Sequence, residues 1–155
     1  MDILMNNINR ISSMVSKTVD ELKKADDKIL SARPAENKWS KKEIIGHLCD
    51  SAVNNLSRFV RAQFEDQPFI VVTYAQNEWV KLNHYNEMSI NDVLDYWQCL
   101  NRQIIQIVRN IPDEKLAIEC SLGNAAFRED GETKTLLWLI EDYVIHMEHH
   151  LKQLK

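Results

Sequence analysis

Three of the chain's five histidines fall in the run His146-Met147-Glu148-His149-His150. Residues four apart share a helix face, so His146 and His150 point the same way, whereas His149 is turned away from His150. Two imidazoles at this spacing can bind one divalent ion without bending the helix, as in the His-Glu-x-x-His motif of zinc proteases. The glutamate of that motif is absent, because Met147 occupies its position. Spacing alone leaves a second interpretation open, in which protonated histidines stabilise the helix end through its dipole.

A third ligand should come from elsewhere, because two protein ligands rarely hold a metal ion alone. His47 is the best candidate, since it lies away from the apolar stripe of its own predicted helix. That stripe consists of Ile45, Leu48, Ala52, Leu56 and Phe59. A glycine inside a helix costs about 1 kcal/mol relative to alanine, so Gly46 beside the histidine suggests close approach of another backbone or a ligand. Cys49 lies on the apolar side and is predicted to be a core residue.

His47 begins a polar row along the same helix, with steps of four, three and four residues. The row continues with Ser51, Asn54 and Arg58. It predicts either the wall of a cleft or a plain solvated helix face, and periodicity alone does not separate the two.

Four predicted helices must position these side chains. The three prolines stand at positions 34, 68 and 112, each after a segment with helical apolar spacing, where proline marks the end of a helix. The apolar stripe of the first helix consists of Leu4, Ile8, Ile11, Val15, Val19, Leu22 and Ile29. A capping box of Ser40 and Glu43 predicts that the second helix begins at Lys41, and it extends to about Phe64.

The third and fourth helices show the same periodicity. Ser89, with Asp92 in the acidic position of a capping box, opens the third. Its stripe consists of Val93, Leu94, Trp97, Leu100, Ile104 and Val108. The fourth follows Gly131 and Thr133. Its stripe consists of Leu136, Ile140, Tyr143, Met147, Leu151 and Leu154, and no strand pattern competes with these helices.

Two connections, 65–88 and 110–132, exceed the roughly 2–8 residues usual between bundle helices. The first is predicted to contain a short helix from Tyr74 to Leu82. Its several aromatic residues, within 66–88, predict either a lid that faces a substrate or a small apolar core within the loop itself. The second contains Gly123 and Gly131 and is expected to be irregular. Long connections permit crossovers, so the sequence predicts an all-α four-helix bundle without assuming up-down-up-down topology.

Composition limits the class of protein. The 155 residues, 45% of them hydrophobic, predict one domain spanning 1–155. With 19 basic against 23 acidic residues and no basic block, nucleic acid is not an expected partner. No segment is apolar enough for a membrane span and no secretion signal opens the chain, which predicts a cytoplasmic protein. Three widely spaced cysteines, Cys49, Cys99 and Cys120, predict reduced thiols.

Three segments carry a resemblance to a known family. They are Trp39–Leu48 (WSKKEIIGHL), Gly131–Leu137, and Tyr143-x-x-His146-x-x-His149-His150-x-x-Gln153. Together they resemble the DinB/YfiT-like superfamily over the whole chain. The resemblance implies a four-helix bundle with a divalent metal, often nickel or zinc, held by His47, His146 and His150. A version in which His149 replaces His150 would require a rotated or distorted helix.

The same resemblance implies an activity. Family members include S-transferases that use low-molecular-weight thiols such as bacillithiol, mycothiol or glutathione, a mycothiol-dependent isomerase, and proteins described as hydrolases. Three imidazoles with an open coordination position would acidify a bound water or thiol. Thiol transfer to a small electrophilic substrate is favoured over hydrolysis, because no carboxylate is assignable as a general base. A non-catalytic dimeric binding or stress-response module is the alternative.

Further residues receive supporting roles as hypotheses. Arg58 would hold the carboxylate of a thiol cofactor. Asp142 or Gln153 would contact the histidine rings on the side away from the metal ion. The resemblance also implies a homodimer, because many family members form one. Trp138 and Ile145 lie on the fourth helix opposite its core stripe, and such an apolar pair predicts either a dimer contact or burial under a long loop.

Overall fold

The structure is a computed structural model and describes residues 2–122 and 132–155. Within those ranges the helices are α1 (Ile3–Leu22), α2 (Asp27–Ser31), α3 (Lys41–Arg61), α4 (Gln76–Asn83), α5 (Ile90–Arg109) and α6 (Leu136–Lys152). The strands are β1 (Phe69–Ile70), β2 (Glu119–Ser121) and β3 (Thr133–Thr135). Short 3₁₀ turns occupy Tyr85–Glu87 and Asp113–Lys115. The predicted irregular glycines, Gly123 and Gly131, lie outside the described residues.

The four long helices form the predicted bundle around one apolar core. Each contributes a fully buried side chain to that core: Ile11, Ile45, Trp97 and Ile140. Both α1 and α3 pack against α5 and α6, so the consecutive long helices α1 and α3 lie diagonally across the bundle. This arrangement differs from a simple up-down-up-down bundle, as the long connections suggested.

Contacts between helix ends give the directions of the helices. Near the start of both α3 and α5, the Lys42 ammonium donates to the carbonyl of Met88 and the Cys49 thiol lies against the carbonyl of Val93, so these helices are parallel. In contrast, the early part of α3 meets the late part of α6, which makes that pair antiparallel. The connection between parallel α3 and α5 must therefore cross the length of the bundle.

Side-chain caps fix where the helices begin. The Ser40 hydroxyl accepts from the Glu43 amide at 3.0 Å, and the Glu43 carboxylate accepts from the Ser40 amide at 2.9 Å. This reciprocal pair satisfies two amides that would otherwise lack partners, and α3 begins at Lys41 as predicted. It ends three residues before Phe64. Ser89 caps α5 through the Asp92 amide at 3.1 Å, also as predicted.

One apolar position of the first predicted stripe was assigned wrongly. The chain leaves α1 after Leu22, and the Asp26 carboxylate accepts from the amides of Lys28 and Ile29 to start the separate helix α2. The new helix axis turns Ile29 outward, where 66% of its surface is exposed. The helical spacing of Ile29 therefore did not report burial in α1.

The two long connections contain strands, which the sequence did not predict. Strand β1 pairs in parallel with β2, with Phe69 opposite Cys120, and β2 pairs antiparallel with β3. Strands of two or three residues are too short to show a period of two, so periodicity could not reveal them. The small sheet joins the two connections to each other. The predicted short helix in the first connection is present as α4.

Within the described residues, no helix has both the length and the apolar character needed to cross a membrane. The three cysteines are free thiols, with Cys49 and Cys120 buried and Cys99 exposed.

Candidate metal centre and adjoining cavity

Three histidines meet where α3 packs against α6, and we refer to His47, His146 and His150 as the histidine cluster. The Nε2 atom of His146 lies 3.2 Å from Nε2 of His47 and 3.1 Å from Nε2 of His150. One ring nitrogen from each residue lies within 4.8 Å of the other two. His47 is fully buried, and the other two are partly buried. The structure thus brings together the three residues that the sequence proposed as ligands.

The spacing of these atoms fits a single divalent ion. Two nitrogen ligands about 2.0–2.1 Å from a tetrahedral zinc are roughly 3.3 Å apart, close to both short distances in the histidine cluster. Hydrogen bonding explains the cluster less well, because a neutral imidazole carries one N–H and a proton on Nε2 of His146 could serve only one neighbour. Three unprotonated imidazole nitrogens form a donor set suited to nickel or zinc.

Burial keeps the three imidazoles neutral. It lowers the pKa of His47 to about 3, with further lowering from His150 and His146. Burial and the neighbouring His150 lower the pKa of His146 to about 4. The pKa of His150 is also lowered, chiefly by burial, although a hydrogen bond with Gln153 opposes the shift. At neutral pH the ring lone pairs are therefore available to a cation.

Two hydrogen-bond partners orient the rings contributed by α6. The side-chain oxygen of Gln153 accepts from Nδ1 of His150 at 3.0 Å, which leaves the Nε2 lone pair facing the cluster. The Ser51 hydroxyl lies 3.4 Å from Nδ1 of His146. Both predicted residues therefore contact the histidines on the side away from the cluster.

The ring of His47 is held differently. Trp39 packs against it with ring centroids 4.7 Å apart. Its Nδ1 atom is buried and has no hydrogen-bond partner within residues 2–122 and 132–155. His149 is exposed and lies outside the histidine cluster, so the structure does not support the alternative in which it replaces His150.

A cavity of about 250 Å³ lies beside His146. Among the residues that the structure describes, the polar part of its wall consists of Ser51, Asn55, Arg58, Tyr74, Gln76, Asp142 and His146. The apolar part consists of Val71, Leu122, Trp138, Leu139 and Tyr143. Because one wall residue belongs to the histidine cluster, a small molecule in this cavity would lie next to the candidate metal ion.

The polar row of α3 forms part of this cavity wall and is not a solvated face. Ser51 and Arg58 are buried and line the cavity, and the Arg58 guanidinium donates to the carbonyl of Val72 at 2.7 Å. Asn54 is not among the lining residues, and its amide donates to the carbonyl of Asp50 within the same helix at 2.8 Å. Asp142, proposed from α6, does line the cavity.

A second buried polar cluster, formed by Asp50, Asn83 and Tyr85, explains Gly46. The Tyr85 hydroxyl donates to Oδ1 of Asp50 at 2.6 Å, and the Asn83 amide donates to the same oxygen at 3.0 Å. A Cβ atom at position 46 would overlap the Tyr85 ring, so only glycine admits the ring. Burial raises the pKa of Asp50 to about 6, although both hydrogen bonds oppose the shift. This Asp50 cluster was not anticipated from the sequence.

The first long connection contributes two further wall residues that the sequence did not single out for the site. Tyr74 and Gln76 belong to the segment that crosses the bundle, and both line the cavity. The only signal for them was the concentration of aromatic residues in 66–88. Tyr74 and Gln76 thus bring part of the 66–88 segment into the cavity wall, and its role as a lid stays a prediction.

The chain matches the family model of the DinB superfamily over residues 10–154. It is 27% identical over 148 residues to a protein of Halalkalibacterium halodurans named "Putative metal-dependent hydrolase", a match that covers 96% of this chain and 82% of the relative.

Two solved structures share the fold. YfiT from Bacillus subtilis, described as a "probable metal-dependent hydrolase with an unusual four-helix bundle topology", has a TM-score of 0.82 at 20% identity, over 97% of this chain and 83% of its own. A mycothiol-dependent maleylpyruvate isomerase has a TM-score of 0.67 at 16% identity, over 95% of this chain and 60% of its own.

Proposed function

The chain belongs to the DinB superfamily, and from that premise we propose that it is a metal-dependent enzyme whose divalent ion is held by His47, His146 and His150. The observation that carries this proposal is the convergence of three Nε2 atoms, with the two short separations at 3.1 and 3.2 Å. The Halalkalibacterium halodurans relative and YfiT, both described as metal-dependent hydrolases, support metal dependence.

An ion bound by three neutral imidazoles with one open position acidifies a water or thiol near neutral pH. The residues of this chain prepare that position. Gln153 and Ser51 occupy the Nδ1 sides of the two α6 histidines, so that their Nε2 atoms face inward. The cavity wall holds a small substrate beside His146 and limits access of bulk water. Nickel and zinc are the proposed ions, because imidazole ligands suit both.

Thiol transfer is the first form of the proposed reaction. A low-molecular-weight thiol would lose its proton and attack an electrophilic carbon of the substrate, forming a sulfur–carbon bond while the bond from that carbon to its leaving group breaks and the leaving group departs with the electron pair. A mycothiol-dependent isomerase with the same fold supports this form, since its description names a thiol of this class. Arg58 lies in the cavity wall, where a charged group of thiol or substrate would meet it.

Hydrolysis is the second form, and one residue favours it. Asp142 lines the cavity one helical turn before His146. A carboxylate at this position can accept a proton from an attacking water and so act as a general base. No carboxylate was assignable to this role from the sequence alone. Both forms use the same histidine cluster and differ in the nucleophile.

The homodimer also belongs to the proposal. Ile145 is 56% exposed on α6 and is available for a contact between copies, whereas Trp138 lines the cavity and is half-buried. A dimer would therefore use Ile145 more than Trp138. The expected cytoplasmic location and the absence of a nucleic-acid partner stay predictions from composition.

Elemental mass spectrometry on protein purified without a histidine tag tests the metal centre. We expect about one equivalent of nickel or zinc, lost in His47→Ala and in His146→Ala. The matched control is His149→Ala, which removes an exposed imidazole from the same helix and should keep the metal. Absence of metal even after reconstitution with nickel and zinc would contradict the enzyme proposal and leave a helical binding module.

The nucleophile is tested on the metal-loaded protein with two reactions. Consumption of glutathione by chlorodinitrobenzene reports thiol transfer, and release of nitrophenol from nitrophenyl acetate reports hydrolysis. Asp142→Asn should slow only the hydrolysis. Activity in the first reaction alone favours the transferase form, and activity in the second, lost in Asp142→Asn, favours the hydrolase form.

A further inference from the structure

Tyr74 offers a hydrogen-bonding group to the cavity beside His146. Its ring packs edge-on against Trp79, with centroids 5.3 Å apart, which fixes the ring in the cavity wall. Its hydroxyl has no hydrogen-bond partner within residues 2–122 and 132–155. In contrast, the hydroxyls of Tyr85 and Tyr143 each donate to a buried side chain at 2.6 Å. The Tyr74 hydroxyl is therefore not used to hold the described fold together.

Arg58 places a positive charge in the wall of the same cavity. The guanidinium is buried in the cavity wall, and an arginine keeps its charge at all ordinary pH values. Burial lowers the pKa of Arg58, while Tyr74 and Asp142, which line the same cavity, oppose the shift. Burial raises the pKa of Tyr74 to about 12, so its hydroxyl remains a donor at neutral pH.

We propose that Tyr74 and Arg58 together bind the carboxylate of a small-molecule substrate whose remaining atoms extend towards His146. This inference rests on the proposed function, because it assigns the substrate class of the same site. Hydrogen bonds from a charged donor to a carboxylate are about twice as strong as neutral ones, which gives this pair a preference for an acid over an amide.

The rest of the cavity limits the shape of that acid. Val71, Leu122 and Leu139 provide apolar wall for a hydrocarbon body, and a volume of about 250 Å³ lies just below the usual range for ligand pockets. Asp142 lies on the same helix as His146 and disfavours a second negative charge beside it. The substrate class is therefore a small monocarboxylate with an apolar body and its reactive group at the opposite end.

Isothermal titration calorimetry with phenylpropanoate and phenylpropanamide tests the inference, since the two probes have the same shape and differ in charge. We expect the metal-loaded protein to bind the acid at least tenfold more tightly than the amide. Arg58→Gln should reduce this preference to less than twofold, and Arg58→Lys should keep part of it because the charge remains. Tyr74→Phe should weaken binding of the acid about fivefold.

A stability measurement separates binding from structural roles. Tyr74→Phe should leave the urea unfolding midpoint unchanged, because the hydroxyl has no internal partner to lose. Tyr96→Phe, at a residue 42% exposed on α5, is the matched control and should alter neither binding nor stability. If Tyr74→Phe lost as much unfolding free energy as binding free energy, the hydroxyl would have a structural role and the inference would be contradicted.

Three results would overturn the carboxylate assignment. They are equal binding of acid and amide, no binding of either at millimolar concentration, and a preference that persists in Arg58→Gln, which would place the carboxylate at the metal ion. Metal content is measured on the same samples. If the wild-type protein holds no metal, the proposed function fails, yet the acid and amide comparison still decides this inference because neither Tyr74 nor Arg58 is a proposed ligand.

Discussion

The histidine cluster and the Asp50 cluster begin at residues one turn apart on α3, yet their buried polar atoms are arranged in opposite ways. In the Asp50 cluster two donors meet one carboxylate oxygen, at 2.6 and 3.0 Å. In the histidine cluster three Nε2 atoms face one another, and a proton on any one of them can serve only one of the other two. Buried polar groups normally find partners within the protein. Two donors on Oδ1 join Asp50 to the connection that follows α3, although its buried Oδ2 has no partner within the described residues. The histidine cluster instead presents nitrogens to one another, an arrangement that suits a cation better than internal hydrogen bonding.

The largest expected effect tests the structural role of the Asp50 cluster. Gly46→Ala places a methyl group in the Tyr85 ring and should lower the free energy of unfolding by about 3 kcal/mol, the upper part of the range for overpacked cores. Urea denaturation measures it. In a Tyr85→Ala background the same change should instead stabilise by about 1 kcal/mol, the helix propensity of alanine over glycine. An undiminished cost in that background would contradict the explanation of Gly46.

The two clusters should respond to pH with opposite signs in the metal-free protein. The pKa of Asp50 is raised from 3.8 to about 6, so the folded state binds this proton more tightly. Its contribution to stability therefore falls as pH rises from about 4 to 6, by about 3 kcal/mol at roughly 1.4 kcal/mol per unit. The lowered pKa values of His47 and His146 act the other way, because the unfolded chain binds those protons more tightly, and stability is lost as pH falls from about 6.5 towards 4.

Denaturation curves between pH 4 and 7 separate these contributions. Asp50→Asn should remove the loss of stability that occurs as pH rises from about 4 to 6. His47→Ala should reduce the loss of stability that occurs as pH falls from about 6.5. For each variant, the difference in unfolding free energy from the wild type is plotted against pH. If the two plots had slopes of the same sign, the opposite pH effects assigned to Asp50 and His47 would be contradicted.

A smaller effect is expected from removing one donor of the Asp50 cluster. Tyr85→Phe deletes the hydroxyl that donates to Asp50 and should cost about 2 kcal/mol of unfolding free energy, the range for a hydrogen bond to a charged group. Metal content should not change, because Tyr85 contacts no histidine of the cluster. Loss of metal parallel to the loss of stability would show that the two clusters are not independent.

The smallest expected effect concerns the outer contact of the histidine cluster. Gln153→Met removes the acceptor of the His150 Nδ1 proton and should weaken metal binding about tenfold, since partners behind metal ligands typically contribute 10–100-fold. Competition with a chromophoric chelator measures the affinity. Lys152→Met, at the exposed neighbouring position, is the control and should leave the affinity unchanged.

Local sequence signals predicted much of the fold and all three members of the histidine cluster. The Ser40 and Glu43 capping box located the start of α3, because a cap depends on residues three positions apart. The spacing of His146 and His150 placed them on one face for the same reason, since helix geometry converts sequence distance into direction. The identification of His47 as the third member relied on its position away from the apolar stripe together with the family resemblance.

Features that depend on contacts between distant segments were not predictable in this way. Tyr74 and Tyr85 reach α3 from a connection whose path no periodicity describes, so the sequence could suggest a close approach at Gly46 without identifying the tyrosine. Asn54 has the spacing of the polar row, yet it bonds to its own helix backbone. The β1 strand pairs with a segment about fifty positions away, and its two residues carry no pattern of their own.

The sheet that joins the two long connections also has a consequence for the order of folding. Closing a chain loop of roughly fifty residues to pair β1 with β2 has a large entropic cost, and two paired positions return little free energy. Contacts of such long sequence separation are slow to form, because the loop-closure entropy is lost before the contacts return free energy. Val71 and Leu122 directly follow β1 and β2, and both line the cavity. Pairing of β1 with β2 therefore depends on helices that have already brought the two connections together, and the part of the cavity wall beside these strands is completed with that pairing.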